Sequence, residues 1–582
     1  MDAHTAFLGV ERSLNGRRWV GPGPEEDRLS EALVQQTGIS LAVARVLVRR
    51  GVGPDDTAAF LNPSLRDLLP DPMGLRDMGP AADRFLDAVA QRQTMAIFAD
   101  YDVDGGSSAA LILDWLRRMG LRATLYVPDR IDEGYGPNPA AMADLARGHD
   151  LIICVDCGTL SHEALAAAQG ADVIVLDHHL GGETLPPALA VVNPNRQDED
   201  GALGHLCAAA VVFLFLVEAG RRLKAKGETG PDLMAMLDLV GLATVADVAP
   251  LTGVNRAFVR RGLEVMARRT RPGLAALADV ARLDQPPSAY HLGYVIGPRV
   301  NAGGRIGKAD LGARCLASTN PDEARAMADR LDQLNTERRE IEAAVRDAAL
   351  ADVAAREDGA LAWAAGDGWH PGVVGIVAAR VKEATDRPSV VIGFDGDIGK
   401  GSGRSVPGVD LGAAVQRLAR EGLLEKGGGH KMAAGLTVTR ENLDAAMARL
   451  SELLARQGAG QGGPADLSVA GVLMPGAATP DLFREIEAAG PFGMGAPAPR
   501  YAFPDQAILF AKEVGEGHLK LSFGDGLGAK RDAIAFNALA TEMGQALLRH
   551  GGARFHLVGR LDLNHWGGRE TVQLRLEDAA PA

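Results

Sequence analysis

Three short apolar runs in the first half of the chain each close on an acidic residue, and this pattern restricts the available folds more than any other feature. Residues 94–98 are followed by Asp100-Tyr101-Asp102-Val103-Asp104-Gly105-Gly106, residues 151–155 by Asp156, and residues 173–176 by Asp177-His178-His179. Short apolar runs bounded by turn residues read as buried strands. Between them, residues 109–119 carry apolar residues at helical spacing, 123–127 reads as a further strand and 161–169 as a helix. Strands alternating with helices predict an α/β domain with a doubly wound parallel sheet. Ligands bind such sheets at the carboxyl ends of the strands, which is where these acids fall.

Alternate side chains of an extended backbone share a face, so Asp100, Asp102 and Asp104 crowd their charges together. Like charges that close raise one another's pKa or take cations between them, and hard divalent cations take carboxylate oxygens. A single cluster of this kind is equally well explained as a solvated acidic turn. Three acidic strand ends in succession, one of them with an adjacent histidine pair, have the donor types of a two-metal site, in which two ions share a bridging carboxylate. Asp247, in Ala243-Thr244-Val245-Ala246-Asp247, follows an apolar helix-like run and adds a further acidic position.

Asp102-x-Asp104, Asp156, Asp177-His178-His179 and Asp247 resemble the four motifs of the DHH phosphoesterase superfamily. Residues 99–105, Val192-Asn193-Pro194-Asn195, 244–247 and Gly297-Pro298-Arg299-Val300-Asn301-Ala302-Gly303-Gly304-Arg305 narrow the resemblance to its RecJ family of single-strand-specific exonucleases, from roughly residue 71 to the C-terminus. Ala208 and Ala210 stand where that family tends to have glycines, and Gly303 where it tends to have alanine; these departures are expected to touch packing and no ligand. The resemblance implies two Mn²⁺ or Mg²⁺ ions held by Asp100, Asp102, Asp104, Asp156, His178 and Asp247, with Asp156 as the bridge. The mixture of carboxylates and imidazole suits Mn²⁺ somewhat better. It places His179 at the scissile phosphate or the leaving group and has Asp177 orient a neighbouring histidine. The implied reaction is 5′→3′ degradation of single-stranded DNA to mononucleotides, in DNA repair and recombination. Two other readings are a DHH phosphodiesterase for short oligoribonucleotides or cyclic dinucleotides, and a non-catalytic DHH-like scaffold. The extra N- and C-terminal regions speak against the first, and the full set of motif carboxylates and histidines against the second.

The same resemblance divides the chain into a helical and extended segment (1–90), the DHH domain (91–320), connecting helices (321–357), a second α/β, DHH-associated domain (358–456) and a C-terminal OB-like β-barrel (464–582). Residues 321–357 carry apolar residues at helical spacing in a charged stretch and predict one or two long helices. In the second domain, Gly368-Trp369-His370-Pro371-Gly372, Gly401-Ser402-Gly403-Arg404-Ser405 and Gly427-Gly428-Gly429-His430-Lys431 combine glycines with cationic or hydroxyl groups. One such cluster is more often a turn than a phosphate cradle; three together favour the cradle. The resemblance then implies substrate contacts from Arg299, Asn301, Arg305, His370, Ser402, Arg404, Gly428, Gly429 and His430. Residues 457–463 read as a linker. Runs of alternating character at 518–523, 555–561 and 571–576 read as barrel strands, where Phe523, Phe536 and Trp566 either stack on bases or fill the core.

A net charge of −14 argues against indiscriminate polyanion binding through the whole surface and leaves room for a local basic channel. No apolar run approaches a membrane span, and Met1-Asp2-Ala3-His4 lacks the basic start of a secretory signal. Four cysteines in so long a chain predict a reducing, cytoplasmic setting. Cys154-x-x-Cys157 has no second pair at zinc-ribbon spacing, so burial at a strand end is its expected role. Single-stranded DNA is the expected partner, with a single-strand-binding protein and a helicase implied by the resemblance alone; no membrane and no oligomer is called for.

Overall fold

In the computed structural model, which describes residues 6–129, 133–356, 359–460, 466–566 and 569–582, the acidic residues do terminate strands. Strands β1 (Met95–Ala99), β2 (Thr124–Tyr126), β3 (Leu151–Val155), β4 (Asp172–Leu176) and β5 (Ala190–Val192) form one sheet in the order β2-β1-β3-β4-β5. All neighbours run parallel. Every residue of β1 and β3 is buried, as expected where helices cover both faces. The chain direction reverses across the sheet between β1 and β3, and in such sheets this switch point opens the ligand crevice. β5 was not read as a strand from the sequence. Helix α1 (Val103–Arg118) starts six residues before the expected 109, since Asp102 caps it by accepting from the amides of Asp104 and Gly105. Gly105 has to be glycine: a Cβ there would lie 2.4 Å from the Asp100 carbonyl oxygen. Helices α2 (Ala208–Ala225), α3 (Leu237–Ala246) and α4 (Gly297–Ile306) follow.

The expected connection is a single helix, α5 (Pro321–Ala355), whose first turn is capped by Asn320. At 1.5 Å per residue it is ~50 Å long. It buries Ala324, Ala328, Leu331, Leu334, Val345, Ala349 and Val353, a 3-and-4-residue stripe that packs on the first domain early and on the second domain late. The second domain contains β6 (Ala362–Asp367), α6 (Pro371–Thr385), β7 (Ser389–Asp395), β8 (Ile398–Arg404), α7 (Leu411–Arg420), β9 (Lys426–His430) and β10 (Ala433–Thr439). Its sheet runs β9-β10-β8-β7-β6, mixed in direction. Two of the three glycine clusters are therefore strands and not loops. Gly401, Gly403 and Gly427 lie against Ile392, Leu411 and Val415, where a Cβ would come within 2.9 Å; Gly403 and Gly427 admit α7 close to the sheet, and Gly401 admits its cross-strand neighbour Ile392.

A separate unit comprises Met1–Leu68, Leu251–Arg256 and Gly463–Ala582, so the N-terminal segment divides, its later part joining the first domain. Strands β11 (Tyr501–Val514), β12 (His518–Gly524), β13 (Lys530–Ala535), β14 (Arg554–Trp566) and β15 (Arg569–Pro581) close into a barrel: β11 pairs with β12 and β14, β12 with β13, β13 with β15 and β15 with β14. This is the five-stranded closure of an OB fold. Phe523 is fully buried in its core with Tyr501, Phe503 and Leu557, whereas Phe536 is 47% exposed with Arg575 over its ring. The Trp566 side chain, residues 357 and 358, and residues 461–463 of the expected linker lie outside the described residues. Cys154, Cys157, Cys207 and Cys315 are all free and buried, and burial pushes the Cys154 and Cys157 thiols up, away from redox chemistry. Among the described residues no helix is long and apolar enough to cross a membrane.

Candidate metal centre

Asp100, Asp102 and Asp104 leave the carboxyl end of β1, Asp156 that of β3 and Asp177-His178-His179 that of β4, while Asp247 caps the C-terminus of α3. The two sides of the switch point thus bring four of these carboxylates to one place. Candidate donor atoms fall into three overlapping groups, each with its atoms within 4.8 Å of one another: Asp100, Asp102 and Asp156; Asp104, His178 and Asp247; Asp156, His178 and His179. His178 Nε2 lies 3.3 Å from Asp156 Oδ1 and 3.7 Å from Asp104 Oδ2, and its Nδ1 lies 3.8 Å from Asp247 Oδ2. Asp156 belongs to two groups and sits at φ +59°, a left-handed conformation that a non-glycine residue keeps only when its surroundings fix it.

The cluster is electrostatically loaded. Burial, then the charges of Asp104, Asp102 and Asp100, push the Asp156 carboxyl well above the usual range. Burial, followed by Asp104 and Asp102, raises Asp247 to about 8. Asp104 is raised too, chiefly by burial, although the Ala208 and Ala209 amides donate to its two oxygens at 2.7 and 2.8 Å. Those amides open α2, whose N-terminal dipole favours the anion. The segment with the Ala208 departure therefore does touch a candidate ligand, through its backbone. Asp156 Oδ1 is buried and accepts no hydrogen bond. An orphaned carboxylate oxygen amid carboxylates and imidazole fits a divalent cation, which would occupy the missing coordination.

Asp177 is differently placed. Burial alone would raise it, but hydrogen bonds from His179 and Thr159 and the His179 charge hold its carboxyl below the usual range. It accepts from His179 Nδ1 at 2.8 Å, from Thr159 Oγ1 at 2.7 Å and from the amides of His178 and His179. With Nδ1 committed, His179 turns Nε2 outward, 3.0 Å from the Tyr135 hydroxyl. Burial lowers the His179 pKa, yet Asp177, Asp100 and Asp247 outweigh it and bring the ring to about 9. Tyr135 and Thr159 were not foreseen. Asn193 and Asn195 were visible only as a motif; their amides donate to the carbonyls of His179 and His178 at 2.8 and 2.6 Å and fix the histidine backbone.

The expected substrate contacts separate into two sets. Arg305, Ser402, Arg404 and Gly429 line a cavity of about 380 Å³ at the meeting of α4, α6 and β8. Cross-strand partners share a face, so register puts Ser402, Gly435 and Gly428 in one row and Arg404, Ala433 and His430 in the next. Gly428 has open space where a Cβ would stand, while a Cβ on Gly429 would lie 2.4 Å from the Ala433 carbonyl oxygen. Within that lining Arg305 donates to the Gly372 carbonyl at 2.9 Å and Arg404 to Ser402 Oγ at 3.0 Å, while Arg299, Asn301 and His370 do not line the cavity. Arg299 pairs with Asp332 of α5 at 2.8 Å, Asn301 Oδ1 accepts from the Val103 amide at 3.0 Å, and His370 caps α6 by accepting from Gly372.

Family models match along the chain: the N-terminal domain of the DHH family at residues 94–244, the DHHA1 domain at 357–456 and the RecJ OB domain at 469–578. The chain is 37% identical over 549 residues to the single-stranded-DNA-specific exonuclease RecJ of Dickeya dadantii, covering 90% of this chain and 93% of that one. A Thermus thermophilus RecJ structure in complex with Mn²⁺ superposes with a TM-score of 0.78 at 28% identity, over 96% of this chain and 79% of that one. Its Mg²⁺ complex superposes at 0.72 and 26% identity, over 97% and 78%. The motifs at the strand ends, the three domains in order and identity of this extent over nearly the whole length lead to one conclusion: the chain belongs to the RecJ family.

Proposed function

We propose that this chain is a metal-dependent exonuclease that degrades single-stranded DNA from its 5′ end to mononucleotides, in DNA repair and recombination. The observation that supports it best is the convergence of Asp100, Asp102, Asp104, Asp156, His178 and Asp247 at the switch point of the sheet, within one unit with the Ser402–Arg404 cavity. Those six residues would hold two Mn²⁺ or Mg²⁺ ions. When bound, the ions supply Lewis-acid stabilisation of charge on the phosphoryl group and lower the pKa of water. The chain's own groups do the rest. Arg305, Ser402 and Arg404 take the terminal phosphate by charge-assisted hydrogen bonds, and Gly428 lets it lie close to the sheet. Asp177 keeps the His179 proton on Nδ1, which aims Nε2 at the departing oxygen. Asn301 holds the Val103 amide and thereby the Asp102 turn, a positioning role. The chain works as a cytoplasmic monomer alongside a single-strand-binding protein and a helicase.

Digestion of a strand labelled at either end, with Mn²⁺ or with EDTA, tests this. Mononucleotides should leave the 5′ end only when metal is present. Release from the 3′ end, or hydrolysis confined to di- and trinucleotides, would overturn it.

A further inference from the structure

A second cavity, of about 450 Å³, opens at the end of α1 far from the metal centre, bounded by the last turns of α1, by β2, by the helix Leu311–Ala317 and by the first turns of α5. It shares no lining residue with the Ser402–Arg404 cavity. Arg117 in its wall follows Asp104 by thirteen residues of one helix, ~20 Å at 1.5 Å per residue. A phosphate held by the aspartates does not reach it.

Three guanidinium-bearing residues line it, Arg117, Arg122 and Arg314, against one carboxylate, Glu323. Two of the three have structural partners. Arg117 donates to the Ala317 carbonyl at 2.9 Å and lies 3.5 Å from Asp114, and Arg314 lies 3.4 Å from Asp310. Asp114 is shared with Arg118 and Arg271, at 3.3 and 3.5 Å, so it neutralises none of the three in full. Arg122 is exposed and pairs with no carboxylate among the described residues. Helix capping accounts for Arg117 and a surface ion pair for Arg314; neither accounts for Arg122. The same cavity leaves Leu113, Leu125 and Met327 only half-buried.

We propose that this cavity binds a nucleoside phosphate, at a site separate from the metal centre and from the Ser402–Arg404 cavity. Guanidinium forks match phosphate oxygens in pairs and also lie flat on planar rings. The half-buried leucines and methionine give a base or sugar apolar surface to cover, which an inorganic anion cannot use. The volume is that of a small-molecule pocket. A locally positive cavity on a chain of net charge −14 concentrates small anions where the surrounding surface repels them. The exonuclease reading above makes mononucleotides the chain's own product, and free nucleoside triphosphates carry the same groups. Only the source of the ligand rests on that reading; the site stands on its own residues.

Equilibrium dialysis of the full chain against labelled dAMP in EDTA counts the sites. The wild type should take up two equivalents, one here and one at the Ser402–Arg404 cavity, and Arg404→Ala should keep only the first. Added to Arg404→Ala, Arg122→Ala and Arg314→Ala should each weaken the remaining site about tenfold, and the two together should abolish it. In an otherwise wild-type chain they touch neither the metal centre nor the other cavity, so turnover of single-stranded DNA with Mn²⁺ should persist; that and thermal melting report that the variants are folded. Inorganic phosphate should compete poorly, because it covers no apolar surface. Comparing dAMP with ATP names the source: tighter dAMP points to the released product, tighter ATP to the free pool. A single equivalent in the wild type that Arg404→Ala removes, uptake indifferent to Arg122 and Arg314, or phosphate that competes as well as dAMP would each overturn the site. Displacement of dAMP from the Arg404→Ala protein by an oligonucleotide would also overturn it and assign the arginines to the strand path. Failure of the wild type to cleave single strands, with nucleotide uptake intact, would instead defeat the exonuclease reading and leave this site standing.

Discussion

Asp156 joins two of the three donor groups, is buried, and is held at φ +59° with one oxygen unsatisfied. Removing its charge should separate function from stability. Asp156→Asn is expected to lower turnover at least ~100-fold, while its melting temperature in EDTA equals or exceeds that of the wild type, because a repelled buried charge is gone. Turnover assays and melting curves on the same preparation check both halves. Asp247 sets a pH dependence. Its carboxyl titrates at about 8 in the folded chain, against ~4 when unfolded. Between those values the folded state holds a proton that the unfolded state lacks, so this contribution to stability is complete below pH ~4 and is lost as pH rises through 8. Metal-free protein should therefore melt lower at pH 9 than at pH 6, and Asp247→Asn should flatten that slope. With saturating Mn²⁺ the trend should reverse, because the ligands bind metal only when deprotonated. The clustering of the carboxylates with His178 was legible in the sequence because acidic and imidazole groups stand at successive strand ends, and strand ends restrict place. Tyr135 and Thr159 were not, since any hydroxyl can donate and only the tertiary fold decides that these reach His179 and Asp177.

At the scale of elements, the parallel sheet could be read from apolar runs and the barrel from alternation, because burial on one or two faces imprints a period on the chain. The glycine clusters could not. They looked like loops that approach a phosphate, but β8 and β9 are strands, and their glycines serve opposite faces of one sheet. On the core side, Gly401, Gly403 and Gly427 admit Ile392, Leu411 and Val415; on the face of Ser402 and Arg404, Gly428 leaves open space. Composition is blind to which face a glycine occupies, and register supplies that. The two adjacent glycines of β9 should then respond differently to one methyl group. Gly429→Ala forces a Cβ into the backbone of Ala433 and Ala434 at φ +148°, and should destabilise the chain by about 1–3 kcal/mol. Gly428→Ala meets nothing within 4 Å and should melt as the wild type does, yet raise KM for a 5′-phosphorylated strand. A Gly428→Ala variant with unchanged KM would remove this row from the phosphate path.

For the whole molecule the question is how a chain of net charge −14 holds a polyanion. One face of the second domain's sheet carries Lys400, Arg404, Lys426 and His430 in register, but the candidate metal centre is a cluster of buried aspartates that repels phosphate at close range. Bound cations change the sign of that field. Strand binding and metal binding must therefore be linked, and linkage is reciprocal: the factor by which Mn²⁺ tightens the strand equals the factor by which the strand tightens Mn²⁺. We expect that factor to reach at least ~10, a coupling of about 1.4 kcal/mol, within the ordinary range for coupled sites. Two titrations measure it on the same protein, using a strand whose 5′-terminal linkages are phosphorothioates so that it survives. One follows strand anisotropy with and without Mn²⁺, and the other follows Mn²⁺ uptake with and without strand. Equal and large factors put metal and phosphate at one site. Strand affinity that is the same in EDTA as in Mn²⁺ would mean that the basic face alone carries the DNA and that the terminal phosphate does not reach the aspartates in the bound state.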